Sequence, residues 1–252
     1  MKPKISIITA THRRPDLLYK CIRAVQLSTF QEYEHIIVGD HCDWAERVCE
    51  LFSDDERIKY FETPSPHVWN ASSTGKNVGI EKATTDYIAY CDDDNIILPN
   101  HLQIIYDELS IGTQICQTQM CEITLSYGDG SIREVCKRTI KDISLEGGAI
   151  HSNDMQCVGH TKKAIDAVGG WTSAHIIAKD NTWKKAAFNV DGYLFRDWKR
   201  KFGQNFAKKI GIVTFVYYGR RANAHLDKEY DNQLDKDKLF VYPEFIKENF
   251  EK

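Results

Sequence analysis

Three consecutive carboxylates, Asp92, Asp93 and Asp94, follow the short apolar run Tyr87-Ile-Ala-Tyr-Cys91 and precede Asn95. Oxygen ligands of this kind suit a hard divalent cation. The run reads as a buried strand, and Pro99 begins an amphipathic helix with apolar positions at Leu102, Ile105, Tyr106 and Leu109. Carboxylates delivered to the C-terminal edge of a strand stand where open α/β sheets bind ligands. A solvated turn with an aspartate capping the next helix is the competing account of the same residues.

Three further polar groups fall at the ends of predicted strands. Thr9-Ala-Thr11-His12-Arg13-Arg14-Pro15 puts a polar loop before a proline suited to the first turn of a helix. Asp40 follows the apolar run Ile36-Ile37-Val38. Gly75-Lys76-Asn77 reads as a helix start, where backbone N–H groups and a lysine can hold phosphate. Each is unremarkable alone, as turn residue or surface charge. Together they bring four polar clusters to one sheet edge.

The elements that must position them alternate over the first hundred residues. Strand signals at Ile5 to Thr9, His35 to Val38, Ile58 to Phe61 and Tyr87 to Cys91 enclose helical signals at Pro15 to Gln26 and Lys76 to Ala83. Such alternation predicts parallel strands with crossover helices. After the Pro99 helix come longer β-prone runs, Gln114 to Ser126 and Ser131 to Ile140, joined by the turn chemistry of Tyr127-Gly-Asp-Gly130. Helices are expected again at Thr161 to Val168, ended by Gly169-Gly170, and at Asp191 to Phe202, ended by Gly203.

Composition narrows the class. With 252 residues, 42% of them hydrophobic and 27% charged, the chain can bury a core and is no disordered segment. The apolar run Ile210 to Tyr218 is far short of the roughly 20 residues of a membrane span. A strand begins directly at Ile5 with no signal-peptide h-region, so the expected compartment is the cytoplasm, with peripheral contact at the inner face of a membrane as a further option. The eight cysteines include no Cys-x-x-Cys pair, which favours buried thiols over a zinc site. A net charge of −3 argues against a general nucleic-acid binder, although cations gather between Lys184 and Arg221.

At this point the chain resembles the family-2 glycosyltransferases with the GT-A fold. Ile5-Ser-Ile-Ile-Thr-Ala-Thr11-His-Arg-Arg-Pro15 is similar to that family's opening strand and nucleotide loop, and Glu34-His-Ile-Ile-Val-Gly-Asp40 to its second strand. Gly75-Lys76-Asn77-Val-Gly-Ile80 is similar to its Ala-Arg-Asn-x-Gly-Ile element, and Asp92-Asp93-Asp94 to its Asp-x-Asp metal motif. Ala167-Val-Gly-Gly-Trp171 resembles its Gly-Gly-Phe/Trp turn. Ala10, Arg13 and His41-Cys42 depart from the pattern, where proline, asparagine and Asp-Gly or Asp-Asn are usual.

The resemblance implies a Rossmann-like mixed α/β sheet flanked by helices with a smaller α+β acceptor lobe. Residues 1–110 would bind the nucleotide sugar, 111–226 the acceptor, and 227–252 would form a charged helical tail. The implied reaction moves a sugar from a UDP- or GDP-sugar to a hydroxyl of a glycan, lipid-linked or protein acceptor, with inversion. Mn²⁺ or Mg²⁺ would be held by Asp94 with Asp92, helped by His225. Thr11, His12, Arg14, Asp40, Lys76, Asn77, Asp92 and Asp93 would face the nucleotide. The general base would be Asp191, on the inward face of its helix with Leu194, Phe195 and Trp198, with Asp180 as the competitor. Specificity residues are expected among Trp69, His151, Asn153, Asp154 and His160. Two other functions fit parts of the sequence: a non-catalytic nucleotide-sugar or glycan-binding module, and a haloacid-dehalogenase-type phosphohydrolase using Asp92-x-Asp94. The latter is weakened by Ile96 in the usual Thr/Val slot and by the lack of a later Asp-Asp pair.

Overall fold

The computed structural model describes residues 2–41, 43–64, 72–127, 132–141, 155–172 and 190–218. The first strand, β1 (Ile5–Thr11), is followed by α1 (Pro15–Gln26), β2 (Tyr33–Gly39), α2 (Asp43–Glu50) and β3 (Ile58–Glu62). Then come α3 (Ser72–Lys82), β4 (Tyr87–Tyr90), β5 (Ile96–Ile97) and α4 (His101–Ser110). The remainder comprises β6 (Ile115–Tyr127), β7 (Ile132–Lys141), a 3₁₀ turn (Met155–Cys157), β8 (Val158–Thr161), α5 (Lys162–Asp166), α6 (Val190–Phe202) and β9 (Lys208–Tyr218).

These strands form one mixed sheet in the order β3-β2-β1-β4-β8-β6-β9-β5, with β7 also paired to β6. The half containing β3, β2, β1 and β4 is parallel. Beyond β4 the sheet continues through antiparallel β8 and β6, so hydrogen bonding crosses the residue-110 transition without a break. The expected mixed α/β sheet flanked by helices is the fold observed.

Strand alternation distributes the core between two faces. Ile5 and Ile7 pack with Cys21 and Val25 of α1 and Leu102, Ile105 and Leu109 of α4. Ile8, Ile36 and Val38 face the other way, toward Ile80 of α3 and Leu194, Phe195 and Trp198 of α6. The side chains of Cys21, Cys49, Cys91, Cys116 and Cys157 are buried thiols outside any disulfide, in line with the spacing of the cysteines. Among the described residues no helix is long and apolar enough to cross a membrane.

Two glycines set how closely α3 approaches the sheet. A Cβ on Gly79 would stand 2.4 Å from Ile8 Cγ2, and one on Gly75 would stand 2.9 Å from Ala10 Cβ. Separated by four residues, they share a helix face and let α3 press on β1. Lys76 is carried toward the C-terminal edge of the parallel strands by that contact. The helix begins at Ser72, however, so Gly75-Lys76-Asn77 lie inside its first turns and not at its start. Their expected role as an exposed N–H cradle for phosphate is therefore corrected: interior amides are engaged in the helix's own ladder.

Three elements escape the sequence reading. Helix α2 is half charged and buries only Ala45, Val48 and Cys49. Strand β5 is two residues long, and β8 contains Gly159 and His160 in place of a β-branched alternation. Pairing with β4 and β6 on both sides makes β8 a central strand despite that composition.

Candidate functional site

The chain leaves β1 for β2 and β3 on one side, then returns to place β4 on the other side of β1. This reversal opens a crevice beyond the C-terminal ends of β1 and β4, the position at which open α/β sheets bind ligands. Thr11 closes β1, Asp40 follows β2, and Asp92 to Asp94 follow β4. Backbone bonds draw these ends together: the Asp40 N–H donates to the Thr11 carbonyl at 3.1 Å, and the Cys91 N–H to the Ile8 carbonyl at 3.0 Å.

The loops above the edge carry unusual backbone. Arg13 and His41 adopt left-handed conformations, with φ of 51° and 46°. Non-glycine residues take that region rarely, and when they do they cluster at ligand-binding loops. The His12 Nδ1–H donates to the Asp40 carbonyl at 3.0 Å, while the Thr63 hydroxyl donates to Asp40 Oδ1 at 3.0 Å. Thr63, which sequence reasoning passed over, thus orients the aspartate at the end of β2.

The acidic cluster divides into two arms. In the first, the Thr11 hydroxyl donates to Asp93 Oδ2 at 2.6 Å, and Arg14 Nη1 lies 3.3 Å from Asp93 Oδ1 and 3.0 Å from Asp94 Oδ2. Burial, reinforced by the neighbouring Asp94 charge, pushes the Asp93 carboxyl up to about 7. Burial and the Asp92 charge raise Asp94 as well. In the second arm, Lys76 Nζ stands 3.3 Å from Asp92 Oδ1 and 3.6 Å from Asp191 Oδ1. Gln156 Nε2 donates to Asp92 Oδ2 at 3.0 Å, and the Met155 N–H donates to Asp191 Oδ2 at 3.4 Å. Burial raises the Asp191 carboxyl, opposed by the Lys76 cation.

Sequence-expected residues therefore converge in part. Thr11, Arg14, Lys76, Asp92, Asp93, Asp94 and Asp191 meet, and His12 and Asp40 adjoin them. Asn77 is used elsewhere: its Nδ2 donates to the Trp171 carbonyl at 3.0 Å, and its Oδ1 accepts from the Trp171 N–H at 2.8 Å. His160 is no loop residue but lies fully buried in β8, where burial lowers it to about 4. Its Nδ1–H donates to the Thr161 carbonyl, which leaves Nε2 to accept from the Tyr90 hydroxyl at 2.7 Å. Asp180, His225, Trp69, His151, Asn153 and Asp154 lie outside the described residues.

Gln156 carries no sequence signal for its place here, and for Trp171 the Gly-Gly-Trp motif marks a turn but not the side chains it meets. Gln156 precedes β8, whose antiparallel return beside β4 brings it to Asp92. Among the described residues no three His, Cys, Asp or Glu side chains form a metal cage. The carboxylates suit instead a cation held by one or two protein oxygens, with phosphate and water completing its shell.

Solved structures share the fold. The Staphylococcus aureus TarS 1–349 complex with UDP-GlcNAc matches with a TM-score of 0.62 at 14% identity, covering 90% of this chain and 62% of that one. The Pyrobaculum calidifontis mannosyltransferase PcManGT, in complex with GDP-Man and Mn²⁺, matches with a TM-score of 0.55 at 10% identity, over 86% of this chain and 57% of that one. By sequence, a GalNAc(5)-diNAcBac-PP-undecaprenol β-1,3-glucosyltransferase of Campylobacter jejuni is 31% identical over 112 residues, 44% of this chain and 36% of its own length. Protein CgeD of Bacillus subtilis is 34% identical over 116 residues, 44% of this chain and 27% of its own length. The chain thus spans about a third of the length of these curated relatives. The profile described as "Glycosyl transferase family 2" matches residues 6–135, more than half of the 252 residues, and the chain belongs to that family.

Proposed function

We propose that the chain transfers a sugar from a nucleoside-diphosphate donor to an acceptor hydroxyl with inversion at the anomeric carbon. The observation that carries this reading is the Lys76 bridge, which brings Asp191 from beyond residue 110 to the acidic motif after β4. A carboxylate beside a diphosphate-binding edge is what direct displacement requires. The acceptor oxygen attacks the anomeric carbon, the bond to the diphosphate oxygen breaks, and its electron pair leaves with the nucleoside diphosphate. Asp191 takes the hydroxyl proton, a contribution of roughly 10² to 10⁴ in rate. Its raised affinity for protons, caused by burial, suits a base.

Arg14 and Lys76 meet the charge of the diphosphate, Arg14 through its planar fork. Asp40, with Thr11 and His12, forms the wall for base and ribose. Asp94 with Asp92 would hold Mn²⁺ or Mg²⁺, which supplies Lewis-acid neutralisation of the departing phosphate when bound. His225 is a further ligand in this reading. Donors of both nucleotide types are in view, because the TarS complex holds UDP-GlcNAc and the mannosyltransferase complex holds GDP-Man and Mn²⁺. The relative acting on a PP-undecaprenol compound supports a lipid-linked acceptor among the glycan and protein alternatives.

A thermal-shift panel of UDP-GlcNAc, GDP-mannose and related nucleotide sugars, with and without Mn²⁺, tests the proposal when coupled to detection of released nucleoside diphosphate. Metal-dependent stabilisation by one donor and its consumption are expected. Failure of every nucleotide sugar to bind would refute the reading. Tight binding without turnover on glycan, lipid-linked and protein acceptors would make the chain a binding module.

A further inference from the structure

Lys76 is an unusual lysine: its side chain is 2% exposed, yet its ammonium faces two carboxylates far apart in sequence, one in the loop after β4 and one in the first turn of α6. The ammonium stands 4.6 Å from the centroid of the Trp171 ring and 5.8 Å from that of Tyr90. Trp171 is itself buried and secured from several sides. Its main chain exchanges two hydrogen bonds with Asn77, the residue after Lys76, and its indole Nε1–H donates to the Tyr90 hydroxyl at 3.1 Å. That hydroxyl in turn donates to His160 Nε2. Gly170 at φ 85° brings the turn close to α3, where a Cβ would stand 2.9 Å from Asn77 Oδ1.

We propose that Trp171 is a positioning residue whose indole face holds the Lys76 ammonium in the gap between Asp92 and Asp191, so that one cation serves the donor-side acid and the acceptor-side carboxylate together. A lysine side chain has four rotatable bonds, and burial alone does not choose between its rotamers. An aromatic face supplies the missing constraint, since its quadrupole attracts a desolvated ammonium from one side while the carboxylates attract it from the other. Asn77 makes the arrangement self-aligning: the residue that follows the lysine grips the main chain of the residue that covers it. Losing the ring would leave Lys76 to pair with either carboxylate singly, with the other unbalanced in a buried site.

This inference rests on the transferase reading for its kinetic consequence but not for the contact itself, so the experiment has two arms. In the first, the Lys76 side-chain Hε protons are followed by NMR in the free protein. An upfield ring-current shift is expected in the wild type, kept in Trp171→Phe and lost in Trp171→Leu; no such shift in the wild type would overturn the proposal. In the second, donor consumption is measured with UDP-GlcNAc and GDP-mannose. Trp171→Leu should lower kcat at least about tenfold with little change in donor KM, while Trp171→Phe falls much less. Adding Lys76→Met to Trp171→Leu should cost no more than Lys76→Met alone. Additive losses, or losses in both Trp171 variants that merely follow Tm, would show a purely structural tryptophan and overturn the proposal. Consumption of neither donor by the wild type would count against the transferase reading, while the NMR arm still decides the position of Lys76.

Discussion

Arg14 Nη1 lies 3.0 Å from Asp94 Oδ2, on the carboxylate assigned here to a divalent cation. The guanidinium thus occupies the charge that a cation would meet; in the proposed function Asp94 would hold the cation and Arg14 would meet the diphosphate instead. Asp94→Asn is accordingly expected to lose Mn²⁺-dependent stabilisation by a nucleotide sugar and nearly all transfer. Arg14→Met should weaken nucleoside-diphosphate binding by about tenfold or more, since charge-assisted hydrogen bonds contribute about 1.5–3 kcal/mol. Calorimetric titration with UDP and GDP separates the two: unchanged affinity in Arg14→Met would remove Arg14 from the diphosphate site.

Asp191→Asn should keep donor binding and lower kcat by at least about a hundredfold, because the amide retains the shape of the carboxylate but cannot take a proton. The Met155 N–H can still donate to the amide oxygen, which preserves the local fold. Normal turnover in Asp191→Asn, with turnover lost in Asp180→Asn, would transfer the base role to Asp180.

What the sequence made legible follows from how local each signal is. Thr11, Asp40 and Asp92 to Asp94 each follow an apolar run, so strand and polar terminus are read together from neighbouring residues. Asp191 was legible through its spacing to Leu194, Phe195 and Trp198, all buried in α6. Gln156 was not, because its partner is set by the antiparallel return of β8 beside β4, and the Gly-Gly-Trp171 motif marks a turn without showing that it meets Asn77. The Gly75-Lys76-Asn77 motif points Asn77 at the nucleotide, whereas its place on α3 turns its amide to the main chain of Trp171. The half-charged α2 hid for a different reason: three buried residues suffice to seat it against α1, β2 and β3, and they leave little apolar periodicity to read.

Gly79→Ala tests whether the close approach of α3 to β1 is needed. Alanine in a helix interior gains about 1 kcal/mol over glycine, while overpacking costs about 1–3 kcal/mol. With a contact of 2.4 Å to Ile8 Cγ2, the second effect should dominate and urea unfolding should show a net loss of stability. The double variant Gly79→Ala with Ile8→Ala should be less destabilised than the two single losses combined, because truncation removes the clashing methyl. Strict additivity would mean that the helix shifts freely and that Gly79 does not fix its position.

Buried histidines should make the fold sensitive to acid. His101 is pushed down to about 3 by burial, and its Nδ1–H donates at 2.7 Å to Thr214, whose hydroxyl donates at 2.7 Å to Thr118. Its ordinary value is 6.5, so between about 6.5 and 3 the unfolded chain binds a proton that the folded protein refuses. The stabilising contribution of neutral His101 is whole above the ordinary value and is lost progressively as pH falls below it. His35, lowered by burial to about 3, and His160, to about 4, act in the same direction. Asp93, raised to about 7, acts oppositely, because its folded carboxyl binds a proton before the unfolded one does. The net curve mixes these groups, and one substitution separates them. His101→Gln keeps a donor for Thr214 but has no proton to gain, so its fall in Tm between pH 7 and pH 5 should be smaller than that of the wild type. Parallel pH curves for the two proteins would mean that His101 is protonated in the folded state, contrary to its burial at the start of α4.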